Sequence, residues 1–212
     1  MTDVWSERAE MYRTSEAHRE GPDLDLLVEW AVGCRTALDV ATGGGHVARR
    51  LREAGLEVVT CDPAPGMRPD VVCRAEDLPF ADGSFDAVAT RVAAHHYDDA
   101  SKAVAEMARV AAGAVLIVDN SFMGDDVETA EKLRDPSHVR NYSEAEWRSF
   151  IATAGLVVED VQFFEKPIAF QPWLDRCGCS DGDAARVREL LGDRLVGDDV
   201  VLDRIALKAV PA

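Results

Sequence analysis

Three consecutive glycines, Gly43, Gly44 and Gly45, follow an apolar run that ends close to the acid Asp39. Glycine has no Cβ, so a turn built from it lets a ligand approach the backbone closely. The next apolar run ends at a second acid, Asp62. That acid comes about 20 residues on, which is the expected position of a carboxylate that binds ribose hydroxyls. The spacing therefore predicts a site for a cofactor that contains ribose.

The position of Asp39 indicates which cofactor this is. The segment Gly43-x-Gly45-x-x-Ala48 formally matches the dinucleotide fingerprint, and a tight glycine turn without any ligand is another interpretation. An acid shortly ahead of the glycines would repel a pyrophosphate. It suits S-adenosylmethionine, which carries a sulfonium and an α-amino group and has no phosphate. The pattern favours S-adenosylmethionine over a nicotinamide dinucleotide.

Two adjacent histidines, His95 and His96, follow the apolar run at 85–91. Histidine removes a proton near neutral pH, and such a base helps methyl transfer when the acceptor is an O–H, N–H or acidic C–H group. Neighbours in an extended segment point to opposite faces, so we do not expect both rings to enter one site. The alternative is that the pair packs and orients its loop.

A metal site formed by His95, His96, Asp98 and Asp119 is a further alternative. Loop acids more commonly cap helices or face solvent, so we expect no metal. Asp119 ends the fifth apolar run and either borders an acceptor pocket or caps the segment that follows. The five cysteines form no spaced framework, which predicts free thiols.

The elements that position these residues alternate between strand and helix through residue 120. The strands are predicted from near-continuous apolar runs, which are typical of parallel strands covered by helices on both faces. The predicted strands are 36–42, 56–62, 70–75, 85–91 and 113–120, and the predicted helices are 5–32 with a break at Gly21-Pro22, 46–54 and 100–111.

The pattern changes after residue 120. Residues 121–141 are polar and compatible with a helix. Ser143, Glu146 and Gly155 have the spacing of a helix with a capping box and a C-terminal glycine. Residues 156–170 predict one long strand or a strand pair, 183–192 a helix, and 200–210 a last strand. With no repeats and no low-complexity linker, the chain of 212 residues is predicted to be one domain.

The formal net charge of −16 argues against a nonspecific nucleic-acid binder and against docking on an anionic membrane. A small-molecule partner is the expectation that remains. The N-terminus has no apolar signal core, and no apolar stretch approaches a membrane span. We therefore expect a cytoplasmic protein.

Four segments occur in order and at the expected distances: "ALDVATGGGHVA", "VVTCDPAPGM", "AEDLPFADGSFDAV" and "AHHYDDASKAVAEMARV". Together they resemble the class I S-adenosylmethionine-dependent methyltransferases of the type 11 branch, near the quinone-biosynthesis C-methyltransferases. Ala41 stands where many relatives have the first glycine of the loop. The resemblance is strongest over 36–120. It implies a doubly wound α/β sheet of seven mostly parallel strands, with helices on both faces and an antiparallel last strand.

The resemblance also implies a cofactor site with three parts. A loop and its preceding acid lie against the methionine moiety, a second acid binds ribose with two residues near adenine, and a third segment meets the adenine edge. The residues of the methionine part are Asp39, Ala41, Thr42, Gly43, Gly44 and Gly45. Those of the ribose and adenine part are Asp62, Pro63 and Met67, and those of the adenine edge are Arg74, Ala75 and Glu76. Arg91, after the fourth strand, is the last residue predicted to approach the cofactor.

At the adenine edge, the backbone N–H of Ala75 would meet a ring nitrogen. Relatives usually have Asp or Asn at the place of Arg74, to accept the adenine amino hydrogens. Arginine cannot accept a hydrogen bond. Either Glu76 substitutes, or that bond is missing.

On the acceptor side, the resemblance implies that the loop after the fourth strand faces the transferable methyl group and that the N-terminal helical segment forms a lid. His95 and His96 are the candidate catalytic residues. The candidate acceptor-binding residues, for each of which packing is the alternative, are Tyr12, His18, Asp119, His138, Arg140 and Tyr142.

The predicted function is S-adenosylmethionine-dependent methyl transfer to a small-molecule acceptor by in-line displacement. The alternatives are a methyltransferase fold that binds the cofactor without methyl transfer, and a nicotinamide-dependent oxidoreductase. Within the predicted domain, residues 1–33 form the lid, 34–120 the cofactor-binding core, and 121–212 the acceptor side with the last strands.

Overall fold

The computed structural model describes residues 4–212, apart from the side chains of 16 and 17, so the first three residues of the predicted lid lie outside the described part. Its framework is a mixed sheet of eight strands. The strands are β1 Thr36–Val40, β2 Glu57–Asp62, β3 Val71–Val72, β4 Phe85–Arg91, β5 Ala111–Asn120, β6 Leu156–Ala169, β7 Leu195–Val196 and β8 Asp199–Pro211.

The strand order is β3-β2-β1-β4-β5-β8-β6, with the two-residue β7 paired to β8 off this path. Strands β1 to β5 pair in parallel, and β8 runs antiparallel between β5 and β6. The predicted seven-stranded, mostly parallel sheet with an antiparallel last strand is confirmed, and β7 is an unforeseen addition. Strand order reverses between β1 and β4, where open α/β sheets bind ligands beyond the carboxyl ends.

Nine helices accompany the sheet in the described residues. Three short 3₁₀ turns supplement them at Pro65–Met67, Ala94–His96 and Gly192–Arg194. The helices are α1 Val4–Arg13, α2 Glu16–Arg19, α3 Pro22–Trp30, α4 His46–Glu53, α5 Ala100–Val110, α6 Asp125–Arg134, α7 Glu144–Thr153, α8 Phe170–Asp175 and α9 Asp181–Leu191. None of them has the length and apolar character needed to cross a membrane.

Helices cover both faces of the sheet because neighbouring strand residues point to opposite sides. Leu38 joins the core cluster under α5 and α7, which contains Met107 and Trp147. Ala37, the residue before it, joins the cluster under α3 and α4 with Leu27. The continuous apolar strands of the sequence therefore divide into two cores, as predicted for a sheet buried on both faces.

A third cluster lies beyond the carboxyl end of β5. It joins α6, α8 and α9 to the start of β8, and its members include Val127, Trp173, Val187 and Leu202. The helix predicted at 183–192 corresponds to α9. Neither α8 nor this cluster was predicted from the sequence. The cluster lies near the place where Arg204 of β8 pairs opposite Asn120 at the end of β5.

The local predictions were confirmed where a cap or a continuous apolar run defined the element. The Ser143 capping box with Glu146 is present at α7, and 156–169 is one long strand. The strand predicted at 70–75 is shorter, because only Val71–Val72 pairs with β2. The helical segment at 5–32 is divided into α1, α2 and α3, with an interruption before Glu16 in addition to the predicted break at Gly21-Pro22.

Candidate active site

A cavity of about 560 Å³ lies at the carboxyl ends of β1, β2 and β4. Its size is within the range of small-molecule and cofactor sites. Gly45 is not in the wall but caps α4 with φ 75°. Every other residue predicted for the cofactor contributes to the wall: Asp39, Ala41, Thr42, Gly43, Gly44, Asp62, Pro63, Met67, Arg74, Ala75, Glu76 and Arg91.

Asp62 is fixed by the backbone on both of its carboxylate oxygens. Gly43 N–H donates to Oδ2 over 3.0 Å, and Ala64 N–H donates to Oδ1 over 2.9 Å. A carboxylate oxygen can accept more than one hydrogen bond. The side chain is 6% exposed and lines the cavity. It is therefore oriented in advance to accept hydrogen bonds from vicinal hydroxyls.

Asp39 is a buried carboxylate at the end of β1, with 1% of its surface exposed. It accepts hydrogen bonds from Thr42 Oγ1 over 2.6 Å and from Ala48 N–H over 3.0 Å. Burial raises the pKa of Asp39 to about 6 in spite of these bonds. A cationic group in the cavity would favour the ionised form, and this is the charge complementarity that the sequence predicted.

Two non-glycine residues at this edge adopt left-handed backbone angles. Ala41 after β1 has φ 54°, and Val92 after β4 has φ 54°. The region is costly for residues with a Cβ, most of all for a β-branched one. Both line the cavity, so backbone strain is concentrated at the proposed cofactor site, as is common at functional sites.

At the place predicted for the adenine edge, Arg74 pairs with Asp98 over 2.6 Å and with Glu76 over 3.3 Å. Glu76 Oε1 also accepts the N–H of Asp98 over 3.0 Å. Arginine has only hydrogen-bond donors, so Arg74 cannot accept a bond here, and its ion pair holds Glu76 in the cavity wall. The carboxylate of Glu76 is the remaining acceptor for an amino group at this place.

The two candidate catalytic histidines lie in a 3₁₀ turn, Ala94–His96, rather than in the extended segment that was predicted. The ring of His96 lines the large cavity. His95 is behind it and is bound to Asp119, which accepts from His95 Nδ1 over 2.5 Å and from its backbone N–H over 2.9 Å. The expectation that the two rings point to opposite faces is wrong, because the turn places their centroids 4.1 Å apart and both residues line a smaller neighbouring cavity.

The pKa values of the two imidazole rings are shifted in opposite directions. Burial alone would lower the pKa of His95, but the Asp119 carboxylate raises it above the usual value. Burial and the neighbouring His95 lower the pKa of His96 to about 3. His96 Nδ1 lies 3.0 Å from the carbonyl oxygen of Ser137. That nitrogen therefore donates, and Nε2 of the neutral ring is left as an acceptor.

Arg91 is almost fully buried and is held by the N-terminal helices. Its Nε donates to Asp23 over 2.8 Å, and its Nη1 donates to the carbonyl oxygen of His18 over 2.9 Å. Among residues 4–212, Nη2 of Arg91 is buried and meets no hydrogen-bond partner. A buried donor of this kind in a cavity wall favours an acceptor on a ligand.

The predicted acceptor residues divide into two groups. Tyr12, His18 and His138 line the cavity. Arg140, Tyr142 and Asp119 are not part of its wall. Arg140 is exposed and pairs with Glu146 over 2.7 Å, Tyr142 packs on Trp147 in the core, and Asp119 is occupied by His95. These three placements correct the prediction, which assigned the residues by their position in the chain.

Helix α1 packs against the glycine loop. The carbonyl oxygen of Tyr12 lies 2.9 Å from His46 Nε2. A Cβ on Gly44 would come within 2.6 Å of the same carbonyl oxygen. Gly66 N–H donates to Ser6 Oγ over 2.8 Å. The predicted lid is thus in contact with the residues of the cofactor loop.

Several wall residues had not been singled out from the sequence. Two of them, Trp5 and Ser137, contact His96: the Trp5 ring lies 4.6 Å from the His96 ring, centroid to centroid. Ser137 precedes His138, which was singled out, so its position was within reach of sequence reasoning. No local pattern identifies Trp5, because its role arises only when α1 folds over the site.

Within the described part of the chain, one group brings three potential metal ligands within 4.8 Å of one another: Glu128, Glu131 and His138. The Asn141 side chain donates to both carboxylates, so the group also fastens the loop at 138–141 to α6. The alternative metal set was His95, His96, Asp98 and Asp119. In the described residues these four side chains do not converge, since Asp98 pairs with Arg74 at the surface.

Comparisons with known proteins show the family to which the chain belongs. A sequence profile of the methyltransferase domain matches residues 38–118. The uncharacterized methyltransferase YcgJ of Bacillus subtilis is 35% identical over 200 residues, which cover 82% of this chain and 78% of that protein. A demethylmenaquinone methyltransferase of Renibacterium salmoninarum is 42% identical over 97 residues, covering 40% of this chain and 41% of that protein.

Solved structures show the same likeness. The crystal structure of YcgJ superposes with a TM-score of 0.79 at 28% identity, over 89% of this chain and 97% of that one. A putative methyltransferase of Bacillus halodurans C-125 superposes with a TM-score of 0.78 at 28% identity, over 91% of this chain and all of that one. The chain belongs to the class I S-adenosylmethionine-dependent methyltransferases, in the type 11 branch. It is an enzyme of methyl transfer.

Proposed function

We propose that this enzyme transfers a methyl group from S-adenosylmethionine, bound in the 560 Å³ cavity, to a small-molecule acceptor. One observation carries the cofactor assignment: two buried carboxylates flank the glycine loop. Asp39 lies where a cation would stabilise it, and Asp62 is preset by Gly43 and Ala64. A pyrophosphate would meet both negative charges, whereas an amino group and a ribose fit them.

The residues that would hold the cofactor follow from their positions in the wall. In this proposal Asp39 binds the α-amino group, Asp62 binds the ribose hydroxyls, and Ala75 with Glu76 binds the adenine edge; all four residues line the cavity. The unpaired Nη2 of Arg91 offers a donor to a carboxylate or another acceptor in the cavity. The bound cofactor supplies an electrophilic methyl group on sulfonium, so the protein has to align the acceptor and exclude water.

His96 is proposed to position the acceptor rather than to remove its proton. Its pKa near 3 keeps the ring neutral at physiological pH but makes Nε2 a weak base. The donation from Nδ1 to Ser137 fixes the tautomer in which Nε2 accepts a hydrogen bond. His95, held by Asp119, is proposed to support this turn from behind. In this proposal only His96 contacts the acceptor, and His95 is a positioning residue.

A small acceptor is supported by charge and by enclosure. The net charge of −16 disfavours a nucleic-acid substrate. The acceptor end is covered by α1 and by the segment 136–139, whose residues line the cavity. In this proposal residues 1–33 are the lid, 34–120 the cofactor core and 121–212 the acceptor side of one domain.

The acceptor class is tested with S-adenosylmethionine labelled in its methyl group. The enzyme is incubated separately with the small-molecule fraction and with the macromolecular fraction of a bacterial extract. We expect enzyme-dependent label in the small-molecule fraction alone. The His96→Ala variant, with S-adenosylhomocysteine binding retained, is expected to lose most of the transfer. Label confined to protein or nucleic acid would contradict the proposal.

A further inference from the structure

A second, smaller cavity opens beside the first, with a volume of about 30 Å³. The two share four wall residues, Tyr12, His18, Val92 and His96. None of the glycine-loop residues 41–45 lines the smaller one, which we call the arginine recess after the side chains described next. Its position beside His96 places it at the acceptor end of the large cavity.

Three arginines from different elements line the arginine recess: Arg134 at the end of α6, Arg176 after α8 and Arg204 on β8. Arg134 is 6% exposed and Arg204 is 1% exposed. The Nε atoms of Arg134 and Arg204 are buried and have no hydrogen-bond partner in the part of the chain that the structure describes. For Arg176, the described residues provide neither an ion pair nor a side-chain hydrogen bond. Three cationic side chains thus offer free donors around one small space.

The neighbouring acids do not neutralise these charges. Asp23 is shared, since it accepts from Arg204 over 2.9 Å and from Arg91 over 2.8 Å. Asp135 is 3.9 Å from Arg134 and closer to Arg8, at 3.3 Å.

Glu131 is the one carboxylate in the wall of the arginine recess, within the described residues, and the amide of Asn120 is 3.5 Å from it. The Asn141 side chain also donates to Glu131. Three guanidinium groups therefore face one occupied carboxylate, in a chain whose overall charge is strongly negative.

The titration of the surrounding groups is consistent with a positive local potential. Burial lowers the pKa of His18 well below its usual value, and Arg176, Arg204 and Arg91 add to that effect. Burial and the charge of nearby Arg134 lower the pKa of Arg176, against the opposing effect of Tyr12. Burial raises the pKa of Tyr12 to about 12, so its hydroxyl stays protonated and can donate.

We propose that the arginine recess binds a carboxylate carried by the methyl acceptor, so that the substrate class is a small carboxylic acid. Guanidinium forks match the two oxygens of a carboxylate. A volume of 30 Å³ holds about two water-sized groups, which suits those two oxygens better than a phosphate with more. The inference rests on the proposed methyltransferase function, because it takes the large cavity as the cofactor site.

The test uses benzoate and benzamide as probes, which have similar shapes and differ in charge. Each is titrated into the protein with and without S-adenosylhomocysteine, and binding is followed by protein-observed NMR. Hydrogen bonds to charged groups predict at least about tenfold tighter binding of benzoate than of benzamide. Arg176→Gln and Arg134→Gln should abolish that preference. The matched control is Arg186→Gln, which removes an exposed arginine paired with Glu189 on α9.

The outcomes separate the two proposals. Equal binding of benzoate and benzamide, or no measurable binding of either, overturns the carboxylate assignment. Loss of S-adenosylhomocysteine affinity in Arg176→Gln, in parallel with benzoate, also overturns it, because the arginine recess would then serve the cofactor. If the wild-type protein binds no S-adenosylhomocysteine, the cofactor assignment fails instead. Circular dichroism confirms that each variant is folded, and Arg176 is the safest site because it is only half-buried.

Discussion

Gly43 donates its backbone N–H to Asp62 across 3.0 Å, so the glycine loop and the carboxylate of the next strand hold each other in place. Ala64 N–H fixes the other oxygen of Asp62 over 2.9 Å. The group that would bind ribose is therefore oriented by the fold before any ligand arrives. Preorganisation of this kind lowers the cost of binding.

Replacing Asp62 with alanine should weaken S-adenosylhomocysteine binding by at least about tenfold, because hydrogen bonds to a charged acceptor are lost. It should also destabilise the protein by about 1–3 kcal/mol for each unpaired backbone donor. The control is Asp70→Ala, which removes a carboxylate that accepts from Thr60 N–H over 2.9 Å outside the cavity. Calorimetry should show weaker binding in the first variant only. Equal affinity in Asp62→Ala and wild type would contradict the site.

Asp39 predicts a pH-dependent affinity. Its folded pKa of about 6 lies above the ordinary 3.8, so between these values the folded protein binds a proton that the unfolded chain has released. Stability from this group is therefore fully present below pH 3.8 and is lost as pH rises through 6. At pH 7 the raised pKa of Asp39 therefore lowers the free energy of unfolding of the unliganded protein by about 3 kcal/mol.

The α-amino cation of S-adenosylhomocysteine should bind the ionised form of Asp39. We expect affinity to rise up to about tenfold per pH unit below pH 6 and to level off above it. Asp39→Asn should flatten the profile and lower the affinity at pH 7, without loss of unliganded stability at that pH. Calorimetry from pH 5 to 8 measures this. A wild-type profile that is already flat would remove Asp39 from the amino-group site.

Gly44 tests the contact between the lid and the cofactor loop. A Cβ at this position would lie 2.6 Å from the carbonyl oxygen of Tyr12, which is backbone and cannot turn aside. Gly44→Ala should therefore displace α1, increase hydrogen exchange over Val4–Arg13, and weaken S-adenosylhomocysteine binding. Gly182→Ala is the matched control, because the nearest atom to its Cβ would be Ser180 Oγ at 4.0 Å. If both variants bind and exchange alike, the lid does not depend on this contact.

The His95–Asp119 pair predicts a stability effect of about 3–5 kcal/mol for Asp119→Asn, the usual cost of breaking a buried pair. The pKa of His95 is raised, so its contribution is complete below about 6.5 and is lost as pH rises through the folded value. Burial would raise the pKa of Asp119, but His95 lowers it, so its contribution is lost as pH falls through a value below 3.8.

Urea unfolding from pH 5 to 9 measures both effects. The wild type should lose stability at the alkaline end of this range, and Asp119→Asn should be weaker but flatter. The comparison variant is Asp98→Asn, which breaks the exposed pair with Arg74 and should cost at most about 1 kcal/mol. A cost for Asp119→Asn as small as that of Asp98→Asn would show that the buried pair does not support the turn.

The cofactor half of the site was predictable because its signals are local. Asp39 and Asp62 lie at the ends of continuous apolar strands and Gly43 follows the first of them, and parallel strands bring their carboxyl ends to one edge. Strand β4 was predicted to the residue, from the apolar run at 85–91. The placement of Ala41 at positive φ agrees with its position in the loop.

The acceptor half was not predictable in the same way, because its contacts join distant segments. Asp23 and Arg204 are 181 residues apart in sequence and hydrogen bond over 2.9 Å. Arg140 was assigned to the acceptor because it lies in the insertion after the fifth strand, yet it turns to the surface and pairs with Glu146. Chain proximity fixes neither the direction of a loop side chain nor its long-range partner.

The central claim is that this chain binds S-adenosylmethionine in the cavity between β1, β2 and β4. Isothermal titration calorimetry of the purified protein with S-adenosylmethionine and with S-adenosylhomocysteine tests it most directly. We predict one site per chain with micromolar dissociation constants, about −8 kcal/mol, for both ligands. The absence of binding heat with either ligand, at several temperatures, would contradict the account.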